Sequence, residues 1–387
     1  MTQNRQHPTP STQHQIADRL SNIELSLIRQ INALATPLSI NLGIGEPNAE
    51  PDEHLREMAR RAATTSWHYS PNAGSMSLRR KLCESTPFDP KSEVCVTAGT
   101  QEGLFSIFTA FVNPGDEVLV PNPGFLSYTT LARICGATPV AYELDPPSWQ
   151  IDVDALEKKI TPRTKLIVVN SPSNPLGAVA SRETLQRIAA TGVLVVSDEV
   201  YREIWYDAPP ASMLALDENM IENVIVVNGL SKSHSMTGLR LGWIHARETL
   251  MKPIVTAHQY VATCASVFSQ CLAEMIFDDA AWNASWLAAM RAQFATQREA
   301  ALYAIEHELD TNLHPPSGAF YAFVPVPLCG TVALAKTLAT DAAVLVIPGA
   351  AFGSQGEGFV RISYAAAVDQ ITAGIERMGR WLRGTGR

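Results

Sequence analysis

The chain has 387 residues, of which 46% are hydrophobic and 18% charged, with a net charge of −8 at neutral pH. That length exceeds what one typical core serves, so two domains are expected, and the acidic balance argues against a nucleic acid or an anionic membrane as partner. Cys83, Cys95, Cys135, Cys264, Cys271 and Cys329 are scattered without CxxC spacing, so they read as reduced core residues rather than zinc ligands. The first twenty residues are polar and no apolar run is long enough to span a bilayer, so the cytoplasm is the expected compartment.

In chain order, the polar N-terminal arm gives way to short apolar runs that alternate with amphipathic stretches. Residues 94–97, 117–120, 166–169, 193–196 and 224–227 read as strands, and their continuous Val, Ile and Leu content means burial on both faces. Between them, 101–112, 125–135, 154–159 and 182–190 carry helical patterns, and Asn113-Pro114-Gly115-Asp116 makes a turn. The pattern predicts an α/β domain with a mostly parallel sheet, in which ligands collect beyond the carboxyl ends of the strands. After Asp278 the texture changes to one long helical stretch, about Ala281 to Leu309, then Pro315-Pro316-Ser317-Gly318 and a shorter α+β tail. The expected division is 1–44 as an arm and part of a small domain, 45–280 as a large domain, and 281–387 as the rest of the small domain.

Several motifs fall at the ends of these strands. Gly229-Leu230-Ser231-Lys232 follows the run 224–227 and continues to Gly238-Leu239-Arg240-Leu241-Gly242, so a strand delivers an amine into a glycine-flanked loop. Such an amine can form a Schiff base with a carbonyl, and Arg240 can hold an anionic group of the same ligand. Taken alone, Lys232 also reads as a solvated loop lysine. Asp198 in Ser197-Asp198-Glu199-Val200-Tyr201 ends another strand, with Tyr201 one short turn away, and taken alone it reads as a helix N-cap. Thr97-Ala98-Gly99-Thr100-Gln101 leads a strand into a helix, so N–H groups at Gly99, Thr100 and Gln101 can face an anion. In Gly358-Phe359-Val360-Arg361-Ile362-Ser363-Tyr364 a guanidinium sits in an apolar run, which is costly unless it meets a ligand anion or an internal carboxylate. Gly43-Ile44-Gly45 lacks the third glycine of a dinucleotide loop, since Asn48 stands there. The histidines, His68 and His234 included, have no metal-ligand spacing and read as packing or polar residues.

The ordered set of motifs resembles the class I aminotransferases among the fold-type-I pyridoxal phosphate enzymes, from about residue 41 to 364. The resemblance implies pyridoxal 5′-phosphate attached to Lys232, with Asp198 on its pyridine nitrogen, Tyr201 and Asn174 on its 3′-oxygen and Phe125 on its ring face. Gly99, Thr100, Gln101, Ser231 and Arg240 are the implied surroundings of its phosphate. Tyr69, in the segment running to Leu78-Arg79, is implied to reach the phosphate of a neighbouring subunit, so a homodimer is expected. Gly45, Asn174 and Arg361 are implied to meet the substrate carboxylate. The implied activity is ping-pong transamination between an L-amino acid and a 2-oxo acid, with Lys232, Asp198 and Tyr201 catalytic.

Three positions depart from the family pattern. Gly229 stands where a phosphate-contacting Ser is frequent, Leu176 replaces a Thr in the turn after Asn174-Pro175, and Gln101 stands where some members that prefer aspartate or glutamate carry Lys. Without that charge a neutral, apolar or aromatic donor is expected, Arg29 being the alternative source of charge. A β-lyase, decarboxylase or synthase on the same scaffold is the rival reading. A ligand-sensing regulator would need a DNA-binding segment, and the residues before 41 show no such pattern.

Overall fold

A computed structural model describes residues 16–21, 23–327 and 330–385; Cys329 and the first fifteen residues of the arm lie outside them. Twelve strands follow in order: β1 (Ile40–Asn41), β2 (Val94–Thr97), β3 (Glu117–Asn122), β4 (Thr138–Glu143), β5 (Thr164–Asn170), β6 (Leu194–Asp198), β7 (Val224–Gly229), β8 (Gly242–His245), β9 (Tyr321–Pro325), β10 (Val344–Leu345), β11 (Ile347–Pro348) and β12 (Phe359–Ser363). Seven of them form the main sheet in the order β2-β8-β7-β6-β5-β3-β4. Its pairs are parallel except those of β8, which runs antiparallel to both β2 and β7. The chain between β7 and β8 holds only short helical turns, too little for the crossover that a parallel return requires.

The sheet is covered on both faces, which explains its uninterrupted apolar runs. Ile167 and Val169 of β5 face one core together with Leu119, Val195 and Val226. Leu166 and Val168 face the other, with Val118, Val196, Ile225 and Val227. On that second face the helices Thr100–Phe111 and Glu248–Val261 pack together through Leu104, Ile107, Phe108, Met251 and Ile254. Two strands of the main sheet escaped the sequence pattern. Edge strand β4 is only partly buried, so it needs no continuous apolar run, and β8 mixes Gly242 and His245 with Trp243 and Ile244.

A second, antiparallel sheet runs β11-β12-β9, and β1 pairs in parallel with β10. The N-terminal strand thus joins the C-terminal part of the chain. The helix Ala280–Leu309 starts at Asp279, whose side chain accepts from the Trp282 N–H, and packs along the helix Val368–Thr385. Among the described residues no helix is long and apolar enough to cross a membrane. The five described cysteines are free.

The two sheets meet at Gly177. Its carbonyl accepts the N–H groups of Ser317 and Gly318, its φ is +66°, and a Cβ there would lie 2.4 Å from Pro316 Cβ. Gly177→Ala is therefore expected to destabilise the protein by about 1–3 kcal/mol, read as a fall in Tm of several degrees. An unchanged Tm would contradict this account of the junction.

Candidate active site

The carboxyl ends of β5, β6 and β7 open onto a cavity of about 290 Å³, closed on its other side by Tyr321 of β9 and Arg361 of β12. All of the candidate site residues named from the sequence line it except Gly99 and Tyr69. Tyr69 is 84% exposed and stands outside the cavity of its own chain.

Lys232 lies in a short helix (Leu230–Ser233) directly after β7. Its Nζ donates to the Gly45 carbonyl at 2.6 Å. Desolvation, aided by the Arg361 and Arg240 charges and opposed by Glu46 and Asp198, pushes its pKa down to about 8. Asp198 ends β6 and is buried. Its Oδ2 accepts from the Tyr128 hydroxyl at 2.8 Å and its Oδ1 from the Val200 N–H at 3.2 Å. It thus caps the following turn and faces the cavity at once. Burial raises its pKa, and the Tyr128 and Val200 hydrogen bonds and the Lys232 charge work against that rise. The Tyr201 hydroxyl lies 2.8 Å from that of Tyr321. Phe125, which precedes the helix Leu126–Ile134, sets its ring edge-on to Tyr128 with centroids 5.7 Å apart.

The other end of the cavity is built for an anion. Gly99 opens the helix Thr100–Phe111 at φ +87° with no side chain capping it, and a Cβ there would stand 2.5 Å from Arg240 Nη2. Glycine is what lets the guanidinium close on the helix start. The expectation that the Gly99 N–H faces the ligand needs correction: it donates to the Thr97 carbonyl at 2.8 Å, because the chain turns tightly there. The N–H groups of Thr100 and Gln101 remain, without acceptors inside the helix. Arg240, itself left-handed at φ 51°, donates Nη1 to the Thr237 carbonyl at 2.7 Å. A Cβ at Gly229 would lie 2.7 Å from the Leu241 carbonyl and 3.3 Å from Thr100 Cγ2. The Leu241 carbonyl, Gly242 and Thr100 therefore fill the space that any side chain at position 229 would need. Leu176, the second departure, is buried in the core.

Arg361 is 1% exposed. Its Nη1 donates to Asn174 Oδ1 at 2.8 Å and its Nη2 to the Gly43 carbonyl at 2.7 Å. The guanidinium carbon lies 4.4 Å from the Tyr321 ring centroid and 5.0 Å from that of Phe352. Its Nε is buried without a hydrogen-bond partner among the described residues, and no described carboxylate pairs with it, so the internal salt bridge is not what stabilises it. Sequence reasoning missed Tyr128, Tyr321 and Asn170. Asn170 ends β5, accepts the Asn174 N–H at 2.8 Å and donates to the Asp198 carbonyl at 3.0 Å; its place at a strand end was the available signal. Nothing local marked Tyr321, which arrives through the pairing of β9 with β12.

A lysine beside a buried carboxylate, a helix start with an arginine at one end and a buried, unpaired guanidinium at the other fit a phosphorylated aromatic aldehyde and an amino acid. This is the site of a fold-type-I pyridoxal phosphate enzyme. The family model for aminotransferase class I and II matches residues 38–377, and the chain belongs to that family. It is 35% identical to the aromatic-amino-acid aminotransferase 2 of Thermococcus litoralis, over 95% of this chain and 98% of that protein. It is 34% identical to the aspartate aminotransferase of Pyrococcus abyssi, with the same coverage. Among solved structures, the Thermus thermophilus aspartate aminotransferase with maleate superposes at a TM-score of 0.88 and 30% identity, over 95% of this chain and 99% of that one. The aromatic aminotransferase of Pyrococcus horikoshii superposes at 0.85 and 34% identity, over 93% and 99%.

The depressed Lys232 pKa has a consequence for the cofactor-free protein. With a folded value of about 8 against the ordinary 10.5, the folded state binds its proton less tightly than the unfolded chain, which costs about 3 kcal/mol while both states are protonated. The cost is complete below pH 8 and vanishes as the pH rises past 10.5. Lys232→Met should therefore gain stability over the native chain at pH 7 and lose that advantage towards pH 10. Denaturant unfolding at both pH values checks it, and a difference independent of pH would refute the assignment.

Proposed function

We propose that this aminotransferase works by a ping-pong mechanism on neutral, apolar or aromatic L-amino acids, with a 2-oxo acid as acceptor, and that Lys232, Asp198 and Tyr201 are its catalytic residues. The observation that carries the substrate class is the side-chain end of the cavity. There Gln101 stands where a lysine would be needed, its Oε1 taken by the Ser127 hydroxyl at 3.0 Å, and Ile28 supplies an aliphatic wall. Arg29, on the same short helix, is exposed and does not line the cavity. The cations that do line it are Lys232, Arg240 and Arg361, and each has another task. Relatives named for aromatic amino acids and for aspartate are equally similar, so the cavity itself carries the argument.

When bound, pyridoxal phosphate supplies an electron sink for the pair left as the substrate Cα–H bond breaks. Asp198 holds a proton on the ring nitrogen, and its burial beside Tyr128 keeps that charge pair in a medium of low polarity. Tyr201 and Asn174 would hold the 3′-oxygen, and Phe125 would cover the ring. Thr100, Gln101 and Arg240 would hold the phosphate, with Gly99 giving Arg240 room and Ser231 beside it. Arg361 orients the substrate carboxylate with Asn174 and the Gly45 backbone. Lys232, its amine lowered towards neutrality, takes the α-proton and returns it. One Arg361 and one Lys232 serve a single cavity, so donor and acceptor occupy it in turn.

Tyr69 is the proposed contribution of a second subunit. It stands on an open face with Trp67, 82% exposed, which supports a homodimer in which that face meets the partner's site. The domain division into 45–280 and a small unit of 1–44 with 281–387 remains part of the proposal, supported by the β1–β10 pairing.

The substrate reading predicts kcat/KM values for phenylalanine or methionine at least tenfold above that for aspartate, a factor worth about 1.4 kcal/mol of transition-state binding. A preference for aspartate that survives Arg29→Ala would overturn it. The subunit reading is tested by mixing Lys232→Ala chains with Tyr69→Phe chains. Hybrids should regain near-native cofactor affinity in half of their sites, whereas affinity no better than that of Tyr69→Phe alone would place Tyr69 with its own chain.

A further inference from the structure

The helix that opens on the anion end of the cavity is gripped from behind by a pair of residues that do not line it. Glu102, in the first turn of Thr100–Phe111, accepts the Ala98 N–H on Oε2 at 3.0 Å and the Ser106 hydroxyl on Oε1 at 2.6 Å. His258, on the helix Glu248–Val261, has no exposed side-chain surface and sets Nδ1 3.0 Å from both carboxylate oxygens. Burial alone would raise the Glu102 pKa, but the hydrogen bonds from His258 and Ser106 outweigh it and hold the carboxyl below its ordinary value. The other ring nitrogen, His258 Nε2, is buried without a partner among the described residues. A polar atom left that way opposes folding, so the Nδ1 contact with Glu102 has to offset it.

What the pair controls follows from where Glu102 reaches. Gly99 has no side chain to cap the helix, and Glu102, three residues on, folds back to the N–H of Ala98 in the manner of a capping box. That bond fixes the Thr97–Ala98 peptide, whose Thr97 carbonyl accepts the Gly99 N–H at 2.8 Å, and through this turn the direction of the Thr100 and Gln101 N–H groups. The tolerance is small: a Cβ on Gly242 would lie 2.7 Å from the Thr100 nitrogen, and one on Gly99 would lie 2.5 Å from Arg240 Nη2. We propose that Glu102 and His258 are positioning residues for the cofactor phosphate, holding the helix start in register with Arg240 so that charge and N–H groups converge on one anion. Neither touches the cofactor. The inference rests on the reading of Thr100, Gln101 and Arg240 as the phosphate site.

The test compares pyridoxal phosphate with pyridoxal, which lacks the phosphate, as equilibrium ligands of the cofactor-free protein, followed by absorbance. Glu102→Ala and His258→Ala should each raise Kd for pyridoxal phosphate about tenfold, the scale of a lost helix cap, and leave Kd for pyridoxal within about twofold. Glu102→Gln keeps an acceptor for the Ala98 N–H and should raise it only about threefold; it carries the same comparison if an alanine variant does not fold. A parallel rise for both ligands, or no rise for pyridoxal phosphate, overturns the proposal. Arg240→Ala separates the two levels of the argument. If it also fails to distinguish the ligands, the phosphate site itself is misplaced and the proposal falls with it; if it does distinguish them while the Glu102 and His258 variants do not, the pair alone is misread.

Discussion

The structure turns on charge held in one cavity without compensation from the protein. Asp198, Lys232 and Arg361 all line it, and among the described residues none has an ion-pair partner; each is held by neutral groups instead, Asp198 by Tyr128 and Val200, Lys232 by the Gly45 carbonyl, Arg361 by Asn174 and the Gly43 carbonyl. Isolated charges in a poorly solvated space are expensive. They are tolerable where a ligand of matching charge spends most of its time, and their cost before it binds is what makes them effective afterwards. In the proposed function the carboxylate, the amine and two guanidinium groups are assigned to a ring nitrogen, an aldehyde, a phosphate and a substrate carboxylate, one for one.

The rest of the fold fixes the spacing of those charges. A short hydrogen-bonded path connects them: Asn170 donates to the Asp198 carbonyl and accepts the Asn174 N–H, and Asn174 accepts Arg361 Nη1. The end of the main sheet is thereby tied to β12 of the small sheet through two side chains and one loop. Tyr321 adds a second tie, with its hydroxyl on Tyr201 and its ring under the Arg361 guanidinium. A shift of one sheet against the other would break both ties at once, so the distance between the main-sheet end of the cavity and Arg361 is set by packing of the whole chain rather than by either loop.

How much of this was legible in the sequence differs from residue to residue. Lys232 and Thr100 sit just beyond buried strands and Asp198 at the end of one, and a Val-rich run followed by a polar residue announces such positions. Arg361 announced itself by the expense of a guanidinium inside an apolar strand. Gly229 looked like a deficit, and only the backbone distance to β8 and the Thr100 methyl explain it. Tyr321 and His258 carried no local signal, since an aromatic in a strand and a histidine in a helix are ordinary until strand pairing or helix packing brings them to a partner far along the chain. The Gly99 N–H was misjudged because a three-residue turn, invisible in residue types, uses it internally. Strand β4 was missed for the plainer reason that an edge strand carries little of the apolar signal.

The central claim is that Lys232 is the amine that carries the cofactor. Reducing the reconstituted protein with borohydride and mapping the labelled peptide measures this directly, because the bond between amine and cofactor is then fixed where it formed. The account predicts a pyridoxyl group on Lys232. Label on a different lysine, or no label after reconstitution, would contradict it.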